Sequence, residues 1–385
     1  MVTWKHASLS SQQIRRAGMI GALLFAVSLF QLLTGGILLR PMNISNVLFQ
    51  NAYLLILAPG MVLVMITGRL DLSVGSVVAL IGTVVAVMIV DWNLPAGVAI
   101  VAALLLGTAI GSFHGYLISY LRMPMFVVTL AGMLIWRGLT LVVLEGETKT
   151  PLGPLLGELF SGYLPVGPRV GGLSSLTLIV SLAFSLLALH YLLRRRPGRL
   201  ISGVSYEGLR TRGLLSFALF LGINAVGVAL AAYRGIPWLL VIVVTVGLFY
   251  TFLAGRTTMG RRLYALGGNP DAARLSGVPT RRLLLLVYAN NGFLAALAGL
   301  VVAGRLNAAT PKAGTLFELD AITACLIGGA GMIGGIGTPG GAILGALVIG
   351  VLNNGMSLLG AGGQGMVKAS IMLGAGLFDV YSRRR

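Results

Sequence analysis

Residues 45–90 decide the fold: they read SNVLFQNAYLLILAPGMVLVMIT (45–67), GRLDLSVG (68–75) and SVVALIGTVVAVMIV (76–90). Two apolar runs, each near the roughly 20 residues that cross a bilayer, flank a short polar joint. Unpaired backbone amides and carbonyls cost several kcal/mol in hydrocarbon, so such a joint must be buried in protein or line a watery cavity. This stretch predicts two membrane helices around a broken segment.

Similar apolar runs fill most of the remaining chain, separated by short joints. The sequence predicts an all-α, polytopic membrane helical bundle of about 10–12 transmembrane segments with broken or re-entrant helices. The predicted segments are 18–39, 45–67, 73–90, 94–121, 124–144, 173–193, 214–233, 236–254, 283–303, 319–333, 340–358 and 365–381.

The composition excludes an ordinary soluble protein. Hydrophobic residues make up 57% and charged residues 10%, whereas soluble domains carry about a quarter charged residues. The net charge of +18 would suggest nucleic acid binding in a soluble protein, but here the basic residues concentrate in alternate joints, as the positive-inside rule expects. We therefore expect a multi-pass membrane protein that contacts lipid and no nucleic acid.

The charge bias also predicts an orientation and a domain organisation. The joints Arg194–Arg212 and Arg256–Arg282 are predicted to be cytoplasmic, and Glu145–Gly172 periplasmic. Residues 1–17 form a cytoplasmic N-terminus, 18–381 a single transmembrane domain whose residues 255–282 lie in the cytoplasm, and 382–385 a cytoplasmic tail. The first apolar run lacks an A-x-A cleavage pattern, so we expect an uncleaved helix. The periplasmic joint is apolar at Leu155–Leu164, which predicts a short surface helix or re-entrant cover.

A second broken segment is predicted where Gly328–Gly341 carries eight glycines in fourteen residues. These glycines allow two interpretations. They break a helix around a translocation path, or they let helices approach closely, as the spacing of Gly341 and Gly345 would. We favour the broken helix for the cluster as a whole.

The chain offers little material for catalysis. His6, His114 and His190 are far apart and lack the cysteine or carboxylate spacing of a metal site. The sequence G-x-x-x-x-G-K-[ST] does not occur, so the chain has no P-loop for ATP. We expect no catalytic residue, no metal and no cofactor, and we interpret His114 as a packing or hydrogen-bonding residue.

Asp71 is the most informative carboxylate, because a charge in hydrocarbon is expensive and usually paired or placed on an aqueous path. Arg69 is a candidate partner, and Ser73 is placed to hydrogen-bond where the next helix begins. Asp71 either caps that helix or contacts the substrate directly, and the two roles are compatible. Paired amides in apolar segments suit interhelical hydrogen bonds first and sugar hydroxyls second; they are Asn290, Asn291, Asn353 and Asn354.

The joint 255–282 encodes its own fold. Asn269 can cap a helix, Pro270 suits its first position, and Gly277 with Pro279 ends it. A helix from Thr258 to Leu266, ended by Gly267-Gly268, precedes it. Two compact helices at a membrane surface predict a docking element for another protein, although a basic amphipathic surface helix would also explain the arginines.

Three long motifs now identify a family resemblance. GRLDLSVG (68–75), YALGGNPDAARLSG (264–277) and ELDAITA (318–324) with VLNNGMS (351–357) occur in this order. They resemble the ribose/xylose-type permeases of bacterial ABC sugar importers over about residues 40–381. The additional basic joint and hydrophobic pair between Arg194 and Arg234 look most like the D-xylose permease branch. The stretch Gly360–Lys368 departs from relatives, which more often carry an aromatic residue there.

The resemblance implies a transport subunit that is not an enzyme and that carries a monosaccharide, D-xylose or a related sugar. It implies cytoplasmic ABC ATPase subunits, a periplasmic or extracellular sugar-binding protein and a second permease copy, with a homodimer expected. It also implies a location in the bacterial cytoplasmic (inner) membrane. It places Asp71 beside the central path. It assigns ATPase coupling to Gly267, Gly268, Asn269, Pro270, Asp271, Ala272, Ala273, Leu275 and Gly277.

Two other functions compete with this interpretation. A secondary sugar/proton transporter would place ionisable proton carriers at mid-membrane, and apart from Asp71 the sequence offers few. A membrane glycosyltransferase would need clustered carboxylates or basic pockets for a phosphate-bearing substrate, which the loop Glu145–Glu158 does not supply.

Overall fold

The computed structural model describes residues 11–194, 209–360 and 364–383. Predictions for residues 1–10, for most of the joint Arg194–Arg212, for the centre of the stretch Gly360–Lys368 and for the last two residues lie outside this range. The long helices account for most of the described chain. They are α1 (Ser11–Leu33), α2 (Pro41–Ile66), α3 (Val74–Ala86), α4 (Ala96–Ser119), α5 (Met125–Leu144), α7 (Ser175–Arg194), α8 (Leu209–Ala232), α9 (Trp238–Arg256), α12 (Thr280–Leu306), α14 (Pro339–Leu358) and α15 (Gln364–Arg383).

The predicted fold class is confirmed. Eight helices of the described chain are long and apolar enough to cross a membrane, counting α3 together with the π-helical turn Val87–Asp91 that extends it. Shorter apolar stretches lie in α1, α8 and α15. The remaining helices are short: α6 (Pro154–Ser161), α10 (Thr258–Gly268), α11 (Pro270–Leu275) and α13 (Phe317–Ile327). Within the described residues, one small sheet pairs β1 (Arg169–Val170) with β2 (Leu173–Ser174).

The predicted membrane segment 319–333 is wrong as a full crossing. Helix α13 has 11 residues, about 16 Å at 1.5 Å per residue, against a hydrocarbon core of about 30 Å. It ends at Gly328, and Gly329 then adopts a φ of +80°, a left-handed conformation that ends helices. Irregular backbone continues to Thr338, so the broken helix predicted for this glycine cluster is confirmed.

Four helices form the centre of the bundle. In α2, α3, α12 and α14, 61–78% of the membrane-length window is buried inside the chain, against 11–28% in α4, α5, α7 and α9. The outer helices present apolar side chains outward, such as Val142 at 73% exposure and Leu187 at 68%. Such surfaces suit contact with lipid or with another subunit.

Small residues bring neighbouring helices together. A methyl group at Gly111 of α4 would overlap the Tyr288 carbonyl of α12, and one at Gly292 of α12 would overlap the Gly107 carbonyl of α4. Gly345 of α14 has the same relation to the Ala324 carbonyl of α13. Close backbone approach of this kind drives helix association in lipid, so the second glycine cluster serves both interpretations offered above.

The predicted periplasmic joint forms a cover over one end of the bundle. Its short helix α6 buries Leu156 and Phe160, and Phe160 packs on Gly304 near the end of α12. Lys149 pairs with Asp91, and the amide of Leu152 donates to Asn307 Oδ1 at 2.9 Å. The short helix predicted at Leu155–Leu164 is confirmed.

Candidate translocation and coupling site

The first broken segment, residues 67–73, folds around a buried carboxylate. Asp71 is 2% exposed. Its Oδ1 accepts hydrogen bonds from the Ser73 amide (2.9 Å) and hydroxyl (2.6 Å), and its Oδ2 accepts one from Asn291 Nδ2 of α12 (2.8 Å). Three donors thus satisfy a carboxylate that would otherwise be costly in an apolar interior.

The hydrogen bonds continue from Asp71 into α4 and α5. Trp136 Nε1 lies 3.2 Å from His114 Nε2, and His114 Nδ1 lies 3.2 Å from Ser73 Oγ. Because an indole N–H only donates, Nε2 accepts, and a neutral imidazole then carries its proton on Nδ1 and donates to Ser73. The chain of donors runs Trp136, His114, Ser73, Asp71. His114 is therefore a hydrogen-bonding residue, as predicted.

Two details differ from the sequence prediction. The N-cap residue of α3 is Ser73, which makes no side-chain cap, and Asp71 accepts from the Ser73 amide just before the helix. Arg69 does not pair with Asp71 in the described chain: its Nη1 donates to the Thr67 carbonyl at 3.1 Å. Hydrogen bonds from α12 and from its own turn stabilise the carboxylate without an ion pair to Arg69.

Three of the paired amides make the interhelical contacts predicted for them, and the fourth, Asn291, bonds to the first broken segment. Asn290 of α12 accepts from the Tyr250 hydroxyl of α9, and Asn291 donates to Asp71. In α14, Asn353 donates to Asn51 Oδ1 at 3.3 Å. Asn354 Nδ2 contacts Asn43 Oδ1 at 3.2 Å and Gln50 Oε1 at 3.1 Å on α2. Contact between these amides and a sugar stays a prediction.

Sequence reasoning missed an ion pair between α13 and α15. Lys368 Nζ lies 2.9 and 3.0 Å from the two oxygens of Asp320, which is 2% exposed, and the Tyr53 hydroxyl donates to Asp320 at 2.7 Å. The Tyr53 ring stacks on Phe317 with centroids 3.6 Å apart. A lysine inside an apolar segment was the available signal, because such a charge needs a partner.

The candidate coupling segment, residues 255–282 and called the coupling segment below, forms the predicted pair of short helices, α10 and α11. Asn269 Oδ1 accepts from the amides of Asp271 (3.1 Å) and Ala272 (3.0 Å), and Pro270 holds the first position of α11. Gly277 has a φ of +79°, the conformation of a helix-ending glycine. One boundary is wrong: Gly267 and Gly268 lie inside the last turn of α10 instead of ending it, because the Asn269 cap supplies the break.

The exposed face of α11 is narrower than predicted. Asp271, Ala272 and Leu275 point outward, and Leu275 is 84% exposed. Ala273 is 5% exposed and faces the rest of the chain. Of the two alanines expected to meet a partner, only Ala272 is available.

The coupling segment contacts both broken segments directly. A methyl group at Gly267 would overlap the Ile66 carbonyl, while the Gly335 amide donates to that same carbonyl at 2.8 Å. The Tyr264 hydroxyl donates to the Gly337 carbonyl at 2.7 Å, and burial raises the pKa of Tyr264 above its ordinary value. We call these contacts the glycine junction.

Gly68 and Gly334 complete the glycine junction. Their φ angles are +74° and +95°, and a methyl group on either would collide with the backbone of the other loop. A displacement of α10 must therefore be felt at the end of α2 and at the loop after α13, because packed backbones do not deform independently.

Comparison with known proteins fits this architecture. The family described as "branched-chain amino acid transport system / permease component" matches residues 43–376. The xylose transport system permease protein of Escherichia coli (strain K12) is 36% identical over 98% of this chain and 95% of its own length. The xylose transport system permease protein of Haemophilus influenzae is 37% identical over 95% of this chain and 96% of its own length.

A second group of relatives is named for another sugar. The ribose import permease protein of Escherichia coli (strain K12) is 35% identical over 88% of this chain and 85% of its own length. No solved structure matches the chain. The family match spans most of the sequence, including both broken segments and the coupling segment, so the chain belongs to this family of membrane-embedded permease components, which are transport subunits and not enzymes.

Proposed function

We propose that this chain is the permease subunit of an ATP-driven ABC importer that carries a monosaccharide, D-xylose, across the inner membrane. The observation that carries the proposal is the nearly end-to-end match to permeases named for xylose, 98% of this chain and 95% of theirs. The match to the ribose import permease protein of Escherichia coli covers 88% of this chain and 85% of that protein.

The energy comes from partner ATPases in this proposal. Residues 267–277 transmit the conformational change of the ATPase to the membrane domain. The glycine junction supports this role because it packs α10 against the backbone of both broken segments. The exposed Asp271, Ala272 and Leu275 form the docking face for the ATPase. A separate sugar-binding protein delivers the cargo at the opposite end of the bundle.

Two copies of the chain form the transporter. Residues 18–381 act as one permease domain, flanked by cytoplasmic residues 1–17 and 382–385. The sugar path is proposed to lie between the two copies. Asp71 and Asn291 are hydrogen-bonded within the described chain and are at most 2% exposed, so a sugar meets them only when the helices rearrange. Residues proposed to border that path as the helices rearrange are Arg69, Asp71, Ser73, Asn290, Asn291, Asn353 and Asn354.

The substrate is tested by binding-protein-stimulated ATP hydrolysis. The permease and its ATPase are reconstituted in vesicles, and the binding protein is added loaded with D-xylose or with D-ribose. We expect hydrolysis to rise most with the xylose-loaded protein. A larger response to ribose would reject the assigned sugar and leave the importer assignment standing.

The docking face is tested by Ala272→Trp. An indole on this exposed alanine adds a volume that a packed interface cannot absorb, so we expect loss of ATPase co-purification with the permease still inserted. Thr148→Trp, also exposed but at the opposite end, is the matched control and should co-purify normally. Normal ATPase co-purification with Ala272→Trp would reject the docking face.

A further inference from the structure

A cavity beside the coupling segment carries more positive charge than sugar transport requires. It measures about 750 Å³ and lies among the ends of α2, α4, α5, α10, α11 and α12. Four arginines line it, Arg69, Arg122, Arg274 and Arg281. Of the residues that the structure describes, no Asp or Glu belongs to the lining; Asp271 reaches Arg274 at 4.0 Å from the exposed side.

The backbone at the cavity adds further positive potential. Helices α5 and α12 both begin at it, with Met125 and with Thr280 and Arg281 in the lining. Neither N-terminus has a side-chain cap; each follows a proline, Pro124 or Pro279. Uncapped amides at a helix N-terminus attract anions.

Two residues of the lining have unusual local environments. Ser119 lines the cavity at 5% exposure, and its hydroxyl has no hydrogen-bond partner among the described residues. A buried hydroxyl left without a partner is energetically unfavourable. Arg122 adopts a φ of +57°, a left-handed backbone conformation that non-glycine residues rarely take and that clusters at functional sites.

The surface next to the cavity is apolar and suits lipid. Leu121 is 55% exposed, Met123 37% and Phe126 59%. Tyr116 and Tyr120, both exposed, stack with ring centroids 5.5 Å apart on the last turn of α4, where aromatic side chains favour the membrane interface. A neutral sugar would not use four arginines, whereas guanidinium groups match phosphate oxygens in pairs.

We propose that this cavity binds the phosphate headgroup of an anionic phospholipid of the inner leaflet, with its acyl chains along the exposed face of α4 and α5. Basic pockets between membrane helices on the cytoplasmic side take such headgroups. Gly267 and Gly268 of α10 also line the cavity, so the bound headgroup stabilises the coupling segment against the bundle. This site goes beyond the proposed function and is independent of the sugar carried.

Lipid binding to the purified permease, followed by native mass spectrometry, tests the site. The protein is titrated with phosphatidylglycerol, phosphatidylcholine and water-soluble glycerol 3-phosphate. We expect phosphatidylglycerol to bind at least tenfold more tightly than either. Equal binding of phosphatidylcholine would overturn the proposal, and equally tight glycerol 3-phosphate would assign the cavity to a soluble anion instead.

Variants locate the binding. Arg122→Gln with Arg281→Gln should weaken phosphatidylglycerol binding on the order of tenfold or more, since each cation near an anionic surface contributes severalfold. Arg261→Gln with Arg262→Gln removes the same charge from exposed positions of α10 outside the cavity and should change it little. Equal weakening by the two pairs would mean general attraction to the basic surface and overturn the site.

Ser119→Ala keeps the test decisive if the arginine pair fails to fold. It removes a buried hydroxyl that has no partner in the described chain, so folding should be preserved or improved. We expect severalfold weaker binding of phosphatidylglycerol and an unchanged or higher melting temperature. Undiminished lipid binding by Ser119→Ala would overturn the proposed headgroup position.

Discussion

At the scale of single residues, one carboxylate organises the first broken segment. Asp71 receives hydrogen bonds from Ser73 and Asn291, and His114 and Trp136 extend the chain of donors into two further helices. The sequence identified Asp71 as a candidate site residue, because a charge between two apolar runs is costly unless it is paired or placed on an aqueous path. It could not identify the partner on α12, because Asn291 follows 220 residues later, and it favoured Arg69 on proximity alone.

Removing the charge of Asp71 should destabilise the membrane domain. Asp71→Asn keeps the shape but weakens three hydrogen bonds to a charged acceptor, each worth about 1.5–3 kcal/mol. We expect the free energy of unfolding to fall by about 2 kcal/mol or more, measured by denaturant unfolding in detergent, together with loss of sugar uptake.

Asp91→Asn is the control for this prediction. It removes a carboxylate whose partner Lys149 lies at the surface, where ion pairs contribute about 0–1 kcal/mol. Equal destabilisation by Asp71→Asn and Asp91→Asn would show that the buried hydrogen bonds of Asp71 contribute no more to the free energy of unfolding than a surface ion pair does.

At the scale of elements, the glycine junction joins three stretches that are far apart in sequence. The helices of the coupling segment were predictable, because Asn269, Pro270 and Gly277 encode a cap, a first position and a stop within a few residues. The junction itself was not, because the contact of Gly267 with Ile66 and Gly335 depends on tertiary packing. For the same reason α13 was predicted too long: its apolar run continues beyond Gly328, and hydropathy does not show where the backbone turns.

Alanine substitutions at two neighbouring glycines distinguish the effect of close packing at the junction from the effect of helix propensity. Gly267→Ala would force its methyl group into the Ile66 carbonyl, whereas a methyl group at Gly268 has no heavy atom within 4 Å among those of the described chain. We expect Gly267→Ala to lower the free energy of unfolding by about 1–3 kcal/mol, the usual cost of overpacking.

Gly268→Ala should leave stability unchanged or slightly improved, because alanine favours helix. Melting curves of the two variants in the same detergent provide the measurement. Indistinguishable curves would contradict a close-packed junction at Gly267.

At the scale of the whole molecule, the lengths of the apolar runs predicted the helical architecture well, whereas the orientation inferred from the charge bias stays a prediction. Each predicted membrane segment corresponds to a helix of the described chain, with α13 shortened to a partial crossing. The irregular loop after α13 returns to the glycine junction, so α14 begins at the same end of the bundle as α3 and the alternation of helices is preserved. The local caps of the joint 255–282 predicted a docking element, but the nature of its partner, the binding protein and the second copy leave no local signature in one chain, so they were inferred from the resemblance.

Labelling of single cysteines tests the orientation. In a Cys325→Ala background, Thr148→Cys and Ser276→Cys place thiols at exposed positions of the two opposite ends. A membrane-impermeant maleimide added to intact spheroplasts should label Thr148→Cys only, and Ser276→Cys should react only after the membrane is opened. Labelling of both from one side would contradict the predicted topology.

Sugar uptake by proteoliposomes tests the central claim most directly. Vesicles containing this permease and its ATPase, with ATP inside and xylose-loaded binding protein outside, should accumulate D-xylose. Uptake should stop when ATP or either partner is omitted, and should continue when an ionophore collapses the proton gradient. Accumulation by the permease alone, driven by a pH gradient and unaffected by ATP, would contradict the account.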